Sequence, residues 1–281
     1  MDNRPVGFFD SGLGGLTCIP YLMRSLPEEK IIYYGDTART PYGSKAESTI
    51  RSFSLEIADF LVKSNVKMIV IACNTVSATC LDDIQEKFPS VPVIGIIEPT
   101  AAEVAETCSS GSRVGIIGTK VTVASHAYRN LIRSRNEGIE IFERACPAFV
   151  PLIEEGIIDN EIMDLTIRYY MDDFVHDSSL DKIILGCTHY PLIEENIRRI
   201  YPELDIINPS SIVAGRIGQV LRDRDMLAEG SDFENVFFAS DLSENFINMI
   251  DHIFEKEKVK VKFLNFDFEK ERMRRNEAHE L

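Results

Sequence analysis

The sequence lacks any long run of apolar residues. No segment approaches the stretch of about 18 uninterrupted apolar residues that suggests a membrane-spanning helix. The first ten residues, MDNRPVGFFD, also lack the basic and then apolar layout of a secretory signal. These two absences predict a cytoplasmic protein that does not enter a membrane.

Positive charge is scarce. The chain has 30 Lys and Arg residues against 45 Asp and Glu residues, a formal net charge of −15, and no block of Lys and Arg is interleaved with aromatic residues. Such a surface repels a phosphate backbone, so nucleic acid is not expected as the main ligand. The glycine patterns GxGxxG and GxxxxGK(S/T) are also missing. Nucleotide binding therefore has no support in the sequence.

The cysteines do not have the spacing of a metal site. Cys187 and His189 offer two ligands at a spacing unlike C-x-x-C, whereas zinc needs three or four. A chain large enough to bury a substantial core does not need disulfides in a reducing compartment. We therefore expect no metal and six free thiols, at Cys18, Cys73, Cys80, Cys108, Cys146 and Cys187.

Short apolar runs alternate with segments of helical period. The runs are rich in Val and Ile, as in parallel strands that are buried on both faces. The alternation predicts an α/β fold with mainly parallel sheets flanked by helices, and strands at 6–9, 31–34, 68–72, 93–97, 114–117, 139–142, 183–185 and 204–207. The first two predicted helical faces contain Ile50, Phe53, Ile57, Phe60 and Leu61, and then Val76, Leu81, Ile84 and Phe88, with Cys80 on the second helix.

The spacing of strands and cysteines repeats along the chain. Asp10 follows the first strand and lies 63 residues before Cys73, and Gly118 follows the fifth strand and lies 69 residues before Cys187. Each block holds four predicted strands, which favours two pseudo-symmetric lobes with the active site in the cleft between them. We expect lobe one at 1–98 and 209–264, including VFFAS and most of VKVKFLNF, and lobe two at 99–208. The charged tail at 265–281 is a solvated helix end or disordered.

Cys73 and Cys187 both end a predicted strand where a helix is expected to start. Ligands gather at this end of parallel sheets, and a helix N-terminus lowers the pKa of a thiol. The simpler explanation, that both thiols are small buried side chains, stays open for each cysteine taken alone. If the lobes face each other, however, one thiolate removes a proton from a carbon and the opposite thiol delivers another. That exchange inverts a stereocentre.

Four short blocks carry a resemblance to a known family. They are FDSGLGG at 9–15, GDTARTPYG at 35–43, ACNT at 72–75 and GCTHYP at 186–191. Their order and residues resemble those of the glutamate racemase family, within the aspartate/glutamate racemase superfamily, over roughly 5–263. The three glycines of the first block suit close approach of the backbone to a ligand, or alternatively a tight turn.

The resemblance implies roles for individual residues. Cys73 is implied as the base for D-glutamate and Cys187 as the base for L-glutamate, with Asp10 and His189 assisting and Glu154 orienting the histidine. Apart from the family, Asp10 is equally well a helix N-cap or an inter-lobe hydrogen-bonding group, and His189 a capping or core residue. The implied substrate contacts are Asp10, Ser11, Tyr42, Gly43, Asn74, Thr75, Thr119, Thr188 and His189.

The activity that the resemblance implies is cofactor-independent interconversion of L- and D-glutamate, which supplies D-glutamate for peptidoglycan, by a homodimer. Pyridoxal phosphate would need a Schiff-base lysine, and neither Lys45 nor Lys120 is distinguished as one. Two alternatives stay open: a racemase of another acidic amino acid such as aspartate, and a non-catalytic, ligand-binding regulatory relative. The presence of both thiols favours an enzyme.

Overall fold

The computed structural model describes residues 1–230, 234–241, 247, 250, 253 and 254. Within them, nine strands form two parallel sheets, which confirms the predicted fold class. The first sheet contains β1 (Val6–Asp10), β2 (Ile31–Gly35), β3 (Met68–Ile71), β4 (Val93–Gly95) and β9 (Val236–Ala239). The second contains β5 (Arg113–Gly118), β6 (Glu140–Ala145), β7 (Lys182–Gly186) and β8 (Asp205–Ile207).

Helices join the strands and cover the sheets. In chain order they are α1 (Ile19–Ser25), α2 (Glu47–Lys63), α3 (Asn74–Thr79), α4 (Leu81–Lys87), α5 (Ile97–Thr107), α6 (Lys120–Ser125), α7 (Ala127–Arg135), α8 (Phe149–Glu154), α9 (Glu161–Asp177), α10 (Glu194–Ile200) and α11 (Pro209–Asp223). None of the helices in the described ranges is long and apolar enough to cross a membrane.

The two sheets have the same strand order. The first runs β4-β3-β1-β2 and then β9, and the second runs β8-β7-β5-β6 when read in the matching direction. Every pairing in both sheets is parallel. The predicted repeat of four strands is therefore a structural repeat, and β3 and β7, which precede the two cysteines, occupy equivalent places. We call the part built on the first sheet lobe one and the part built on the second lobe two.

Side chains alternate between two apolar cores in lobe one. Val6 and Phe8 point into a core that continues into lobe two through Val114 and Ile116, while Phe9 points to a second core under α2 and α4. This period of two is that of a strand covered on both faces, which explains why β1 reads as a continuous apolar run. The shared core holds the two lobes against each other.

Two segments differ from the prediction. The strand expected at 93–97 ends at Gly95, and Ile97 begins α5. Ile96 and Ile97 are buried in the core shared by the lobes, and a short apolar run does not by itself distinguish a strand from a buried helix start. The helix expected to carry Cys80 is broken there into α3 and α4. The break shifts the helical phase, which accounts for the imperfect apolar face after Cys73.

A strand with charged side chains lies at one edge of the second sheet. The predicted strand at 139–142 begins at Glu140 and continues to Ala145 through Glu143 and Arg144. An edge strand pairs on one side only and tolerates charged side chains, so the apolar pattern ends before the strand does.

A buried ion pair ties the N-terminal segment to the segment after α11 at the amino end of the first sheet. Lys67 is fully buried and forms an ion pair with Glu29 at 2.6 Å. Its Nζ also donates to the carbonyl oxygens of Asp2 and Met226, each at 2.7 Å. The N-terminus and the segment after α11 are therefore fixed to lobe one on the side away from the cysteines.

Helices α5 and α11 carry the chain between the lobes and pack against each other. After α11, the VFFAS segment forms β9 beside β2, so the chain returns to the first sheet. The domain boundaries at Glu98 and Pro209 stay predictions. The segment VKVKFLNF and the tail 265–281 lie outside the described residues.

Candidate active site

Both cysteines lie at the carboxyl ends of equivalent strands. Cys73 follows β3 and immediately precedes α3, and Cys187 follows β7 before a turn of 3-10 helix at Tyr190–Ile193. The strands belong to different sheets, so the two thiols come from different lobes. Both nevertheless line one cavity between the lobes. This arrangement agrees with the expectation that the repeat brings the two cysteines to a common site.

The cavity is nearly closed. Its volume is about 20 Å³, enough for about one water molecule and too small for an amino acid in this conformation. An apolar vestibule of about 190 Å³ shares Pro41, Gly43, Thr119 and Val150 with it. The cavity is lined by Ser11, Thr40, Pro41, Tyr42, Gly43, Cys73, Asn74, Thr75, Thr119, Val150, Cys187, Thr188 and His189.

Cys187 belongs to a chain of three polar groups. Its Sγ lies 3.8 Å from Nδ1 of His189, and Nε2 of the same ring lies 3.1 Å from Oε1 of Glu154. Burial by itself lowers the pKa of His189, but the hydrogen bonds to Cys187 and Glu154 outweigh burial and raise this pKa to about 10. The ring is therefore an imidazolium at neutral pH. An imidazolium beside a sulfur stabilises the thiolate form of that sulfur.

Cys73 has a different environment. Its Sγ donates to Oγ of Ser11 at 3.4 Å. Burial, and after it the carboxylate of Asp10, raises the pKa of Cys73 to about 12, so the thiol holds its proton in the closed site. The expected lowering of the pKa by a helix N-terminus is wrong for Cys73, because α3 has only six residues and burial has the larger effect.

Asp10 stands behind the cavity wall. It is fully buried at the end of β1, and its carboxylate accepts hydrogen bonds from the backbone N–H of Gly12 at 2.9 Å and from Oγ1 of Thr188 at 3.1 Å. Burial raises the pKa of Asp10. The hydrogen bond from Thr188 crosses between the lobes, so Asp10 is an inter-lobe hydrogen-bonding group, one of the roles expected for it from the sequence. Asp10 therefore reaches the cavity through Thr188.

Gly14 permits the close approach of the lobes at this point. A Cβ at this position would collide with the hydroxyl of Thr188 and with Nδ1 of His189. The absence of a side chain thus makes room for lobe two residues. In the FDSGLGG block, Gly14 therefore allows the backbone to approach residues of lobe two closely.

Tyr42 turns its hydroxyl away from the cavity. The hydroxyl donates to Asp36, which also accepts from Nε of Arg39 at 2.6 Å and from Oγ of Ser240 at 2.9 Å. This network fixes the loop before Gly43, and Gly43 packs closely against Thr119 of lobe two. The substrate contact expected at Tyr42 and Gly43 stays a prediction, and the hydroxyl of Tyr42 is already engaged by Asp36.

Hydroxyl groups from both lobes meet on another wall. Oγ1 of Thr75 lies 3.0 Å from Oγ1 of Thr119, and Thr122 lies 3.0 Å from Thr119 and 3.4 Å from Thr75. Each hydroxyl has one proton and can also accept, so the cluster can turn donors toward an anion. Asn74 lies beside it, and its side-chain amide is buried.

Sequence reasoning missed several residues around the cavity. Thr40 and Pro41 line it and fall within the GDTARTPYG block, so the motif was a usable signal for them. Val150 also lines it and lies four residues before Glu154. Thr122 contacts the hydroxyl cluster from α6, three residues after Thr119. No sequence signal pointed to Val150 or Thr122.

Metal binding has no geometric support in the part of the chain that is described. No group of three or more His, Cys, Asp and Glu side chains there is placed to hold a metal ion. All six cysteines are free and buried.

Comparisons with known proteins give one family. The family model described as Asp/Glu/Hydantoin racemase matches residues 18–216. A glutamate racemase from Geobacter metallireducens is 43% identical over 251 residues, covering 89% of this chain and 92% of the relative. One from Sulfurihydrogenibium is 45% identical over 217 residues, covering 77% and 82%.

A solved structure gives the same answer. A glutamate racemase from Francisella tularensis in complex with D-glutamate has a TM-score of 0.87 and 38% sequence identity, covering 94% of this chain and 98% of that chain. The similarity to these relatives extends over most of the chain, and it agrees with the two-sheet fold and with the cavity that both cysteines line. The chain belongs to the Asp/Glu/Hydantoin racemase family and, within it, to the glutamate racemases.

Proposed function

We propose that this protein interconverts L-glutamate and D-glutamate with two cysteines as acid and base. The observation that carries the proposal is that thiols from equivalent places in two lobes line one cavity. A proton added on the face opposite to the one it left inverts the α-carbon, and such an arrangement supplies one group on each face. The two thiols require no cofactor for this exchange.

The environments of the two thiols suit opposite roles in the first step. Cys187, whose sulfur lies 3.8 Å from Nδ1 of His189, acts as the base and takes the α-proton of L-glutamate. Cys73 starts as thiol and gives its proton to the other face, which yields D-glutamate. The C–H bond is broken and remade with no net gain or loss of protons. Cys73 is then the thiolate and Cys187 the thiol, ready for the reverse reaction.

Neighbouring groups tune the exchange. Glu154 holds the His189 ring through Nε2 and leaves Nδ1 facing Cys187. Asp10 lies close enough to Cys73 to raise the pKa of its thiol and so favours the protonated form that acts as acid. Asp10, His189 and Glu154 thus assist the two reacting sulfurs.

Donors around the cavity are suited to the two carboxylates of glutamate. Hydroxyls and amides are neutral, and they bind a carboxylate without the desolvation cost of an unpaired buried cation. The crystal structure of the Francisella relative contains D-glutamate. We infer that the substrate contacts are Ser11, Tyr42, Gly43, Asn74, Thr75, Thr119, Thr188 and His189, with Asp10 acting through Thr188.

The biological setting follows from the product. We propose that the enzyme supplies D-glutamate for peptidoglycan in the cytoplasm and acts as a homodimer, without binding nucleic acid or membranes. We also propose two domains that correspond to the lobes, with the chain crossing near Glu98 and returning near Pro209. The net charge of −15 supports the absence of nucleic-acid binding, because a negative surface repels a phosphate backbone.

Incubation with each glutamate enantiomer in heavy water tests the proposal. With purified protein and no added pyridoxal phosphate, we expect each enantiomer to yield its mirror image with one deuterium at the α-carbon. Aspartate provides the comparison substrate. Faster racemisation of aspartate than of glutamate would contradict the substrate assignment, and no racemisation of either would contradict the enzyme.

A further inference from the structure

Tyr128 lies behind the cavity wall and contacts one of its residues. It sits on α7 of lobe two, is 1% exposed and does not line the cavity. Its hydroxyl donates to Oδ1 of Asn74 at 2.6 Å. Asn74 begins α3 of lobe one, so this hydrogen bond crosses the cleft.

The other half of the Asn74 amide has no partner. Asn74 is 2% exposed, and its Nδ2 is buried without a hydrogen-bond acceptor among the described residues. Because buried amide groups are nearly always paired, an unpaired N–H₂ in a cavity wall indicates a place for a ligand acceptor. The residue lines the cavity that holds both thiols.

The orientation of an amide decides what it offers to an anion. A side-chain amide presents either its carbonyl oxygen, which repels a carboxylate, or its N–H₂, which donates to one. Burial keeps the pKa of Tyr128 well above its ordinary value, so the phenol remains a donor. A permanent donor on one side of Asn74 holds Oδ1 there and leaves Nδ2 as the half of the amide that is available to a ligand in the cavity.

We infer that Tyr128 is a positioning residue for the racemase reaction, which holds the Asn74 amide with its N–H₂ directed at a carboxylate of the substrate. The inference rests on the proposed function. Because the bond joins the two lobes, Asn74 is oriented in this way when the lobes are closed. Tyr128 acts through Asn74 and does not touch the substrate.

A double-mutant cycle tests the inference through kcat and KM for glutamate. Tyr128→Phe removes only the hydroxyl, and we expect kcat/KM to fall about tenfold, as for one lost hydrogen bond to a charged ligand. The loss should lie mainly in KM, because the amide holds the carboxylate in the ground state and the transition state alike. In an Asn74→Ala background, Tyr128→Phe should change kcat/KM by less than about twofold. An equal loss in both backgrounds would show a structural role and overturn the inference.

Two further variants keep the test decisive. Tyr201→Phe removes another buried tyrosine hydroxyl, which donates to Asp172 at 2.6 Å in lobe two, and should leave kcat/KM unchanged. Asn74→Asp keeps an acceptor for Tyr128 but turns a carboxylate oxygen to the cavity, so it should be more impaired than Asn74→Ala. This comparison does not need Tyr128→Phe to fold. Activity of Asn74→Asp equal to or above that of Asn74→Ala would overturn the inference.

The outcome separates this inference from the proposed function. An inactive wild-type protein would contradict the racemase itself. An active wild type with an equally active, folded Tyr128→Phe variant would contradict only the positioning role.

Discussion

Replacing Glu154 with glutamine should move the alkaline limit of activity. The side chain of Glu154 lies 3.1 Å from His189, and although burial lowers the pKa of the ring, its hydrogen bonds to Cys187 and Glu154 raise that pKa to about 10. Glutamine keeps an oxygen for the hydrogen bond but removes the negative charge. An opposite charge at this distance shifts a pKa by about one to three units. Since Glu154 is partly exposed, with 24% of its side chain accessible, we take the lower end, about one unit.

The sign of the effect follows from the direction of the shift. The raised pKa means that His189 stays protonated until the pH approaches 10, and the proposed role of Cys187 as a base relies on a charged imidazolium beside its sulfur. Lowering the pKa by about one unit should move the upper limb of the profile of kcat/KM against pH from near 10 to near 9. At pH values well below 9, where His189 is protonated in both proteins, kcat/KM of the variant should be much closer to that of the wild type.

The assay is the rate of change of optical activity of glutamate between pH 6 and 11. The equilibrium constant between two enantiomers is 1, so kcat/KM must be equal in both directions, and either enantiomer serves. Glu143→Gln is the matched control, because Glu143 contacts a different histidine, the exposed His126 of lobe two, at 2.7 Å. An unshifted upper limb in Glu154→Gln, or an equal shift in the control, would refute the reasoning.

Three other expectations concern a buried ion pair, a close contact between the lobes and the charge at the vestibule. Lys67→Ala leaves a buried carboxylate unpaired and should lower the free energy of unfolding in urea by about 3–5 kcal/mol, whereas Lys182→Ala, in an exposed pair, should cost at most about 1 kcal/mol. Gly14→Ala should lower kcat/KM at least tenfold by pushing the lobes apart, while Gly215→Ala, in open space on α11, should stabilise the protein by up to about 1 kcal/mol. Lys120→Glu places a negative charge at the vestibule, so kcat/KM for the anionic substrate should fall several-fold at low salt, and the deficit should shrink as salt rises. Unchanged stability, unchanged activity and a salt-independent deficit would contradict these three expectations in turn.

The parts of the fold that sequence could predict are those set by local patterns. Strands buried on both faces read as continuous apolar runs, so β1 and β7 were located to within a residue or two at each end. Strand β6 was misjudged because an edge strand carries charges, and the break at Cys80 was missed because the helical phase changes there without proline or glycine. Local sequence patterns do not indicate which face of a strand or helix is covered by the other lobe.

The site divides in the same way. Cys73 and Cys187 were located by the rule that ligands gather at the carboxyl ends of parallel strands, and the structure brings them to one cavity. The direction of the pKa shift of Cys73 could not be predicted, because it depends on how deeply the thiol is buried between the lobes. The contact between Tyr128 and Asn74 joins residues 54 positions apart in different lobes, and nothing in the sequence pairs them.

The most direct test of the central claim compares single-thiol variants in heavy water. Wild-type protein should add one deuterium at the α-carbon for each inversion of glutamate. Neither Cys73→Ala nor Cys187→Ala should invert either enantiomer, while Cys80→Ala, which removes a buried thiol outside the cavity, should invert both. Inversion by a Cys73→Ala or Cys187→Ala variant at the rate of the wild-type protein would contradict the two-thiol mechanism.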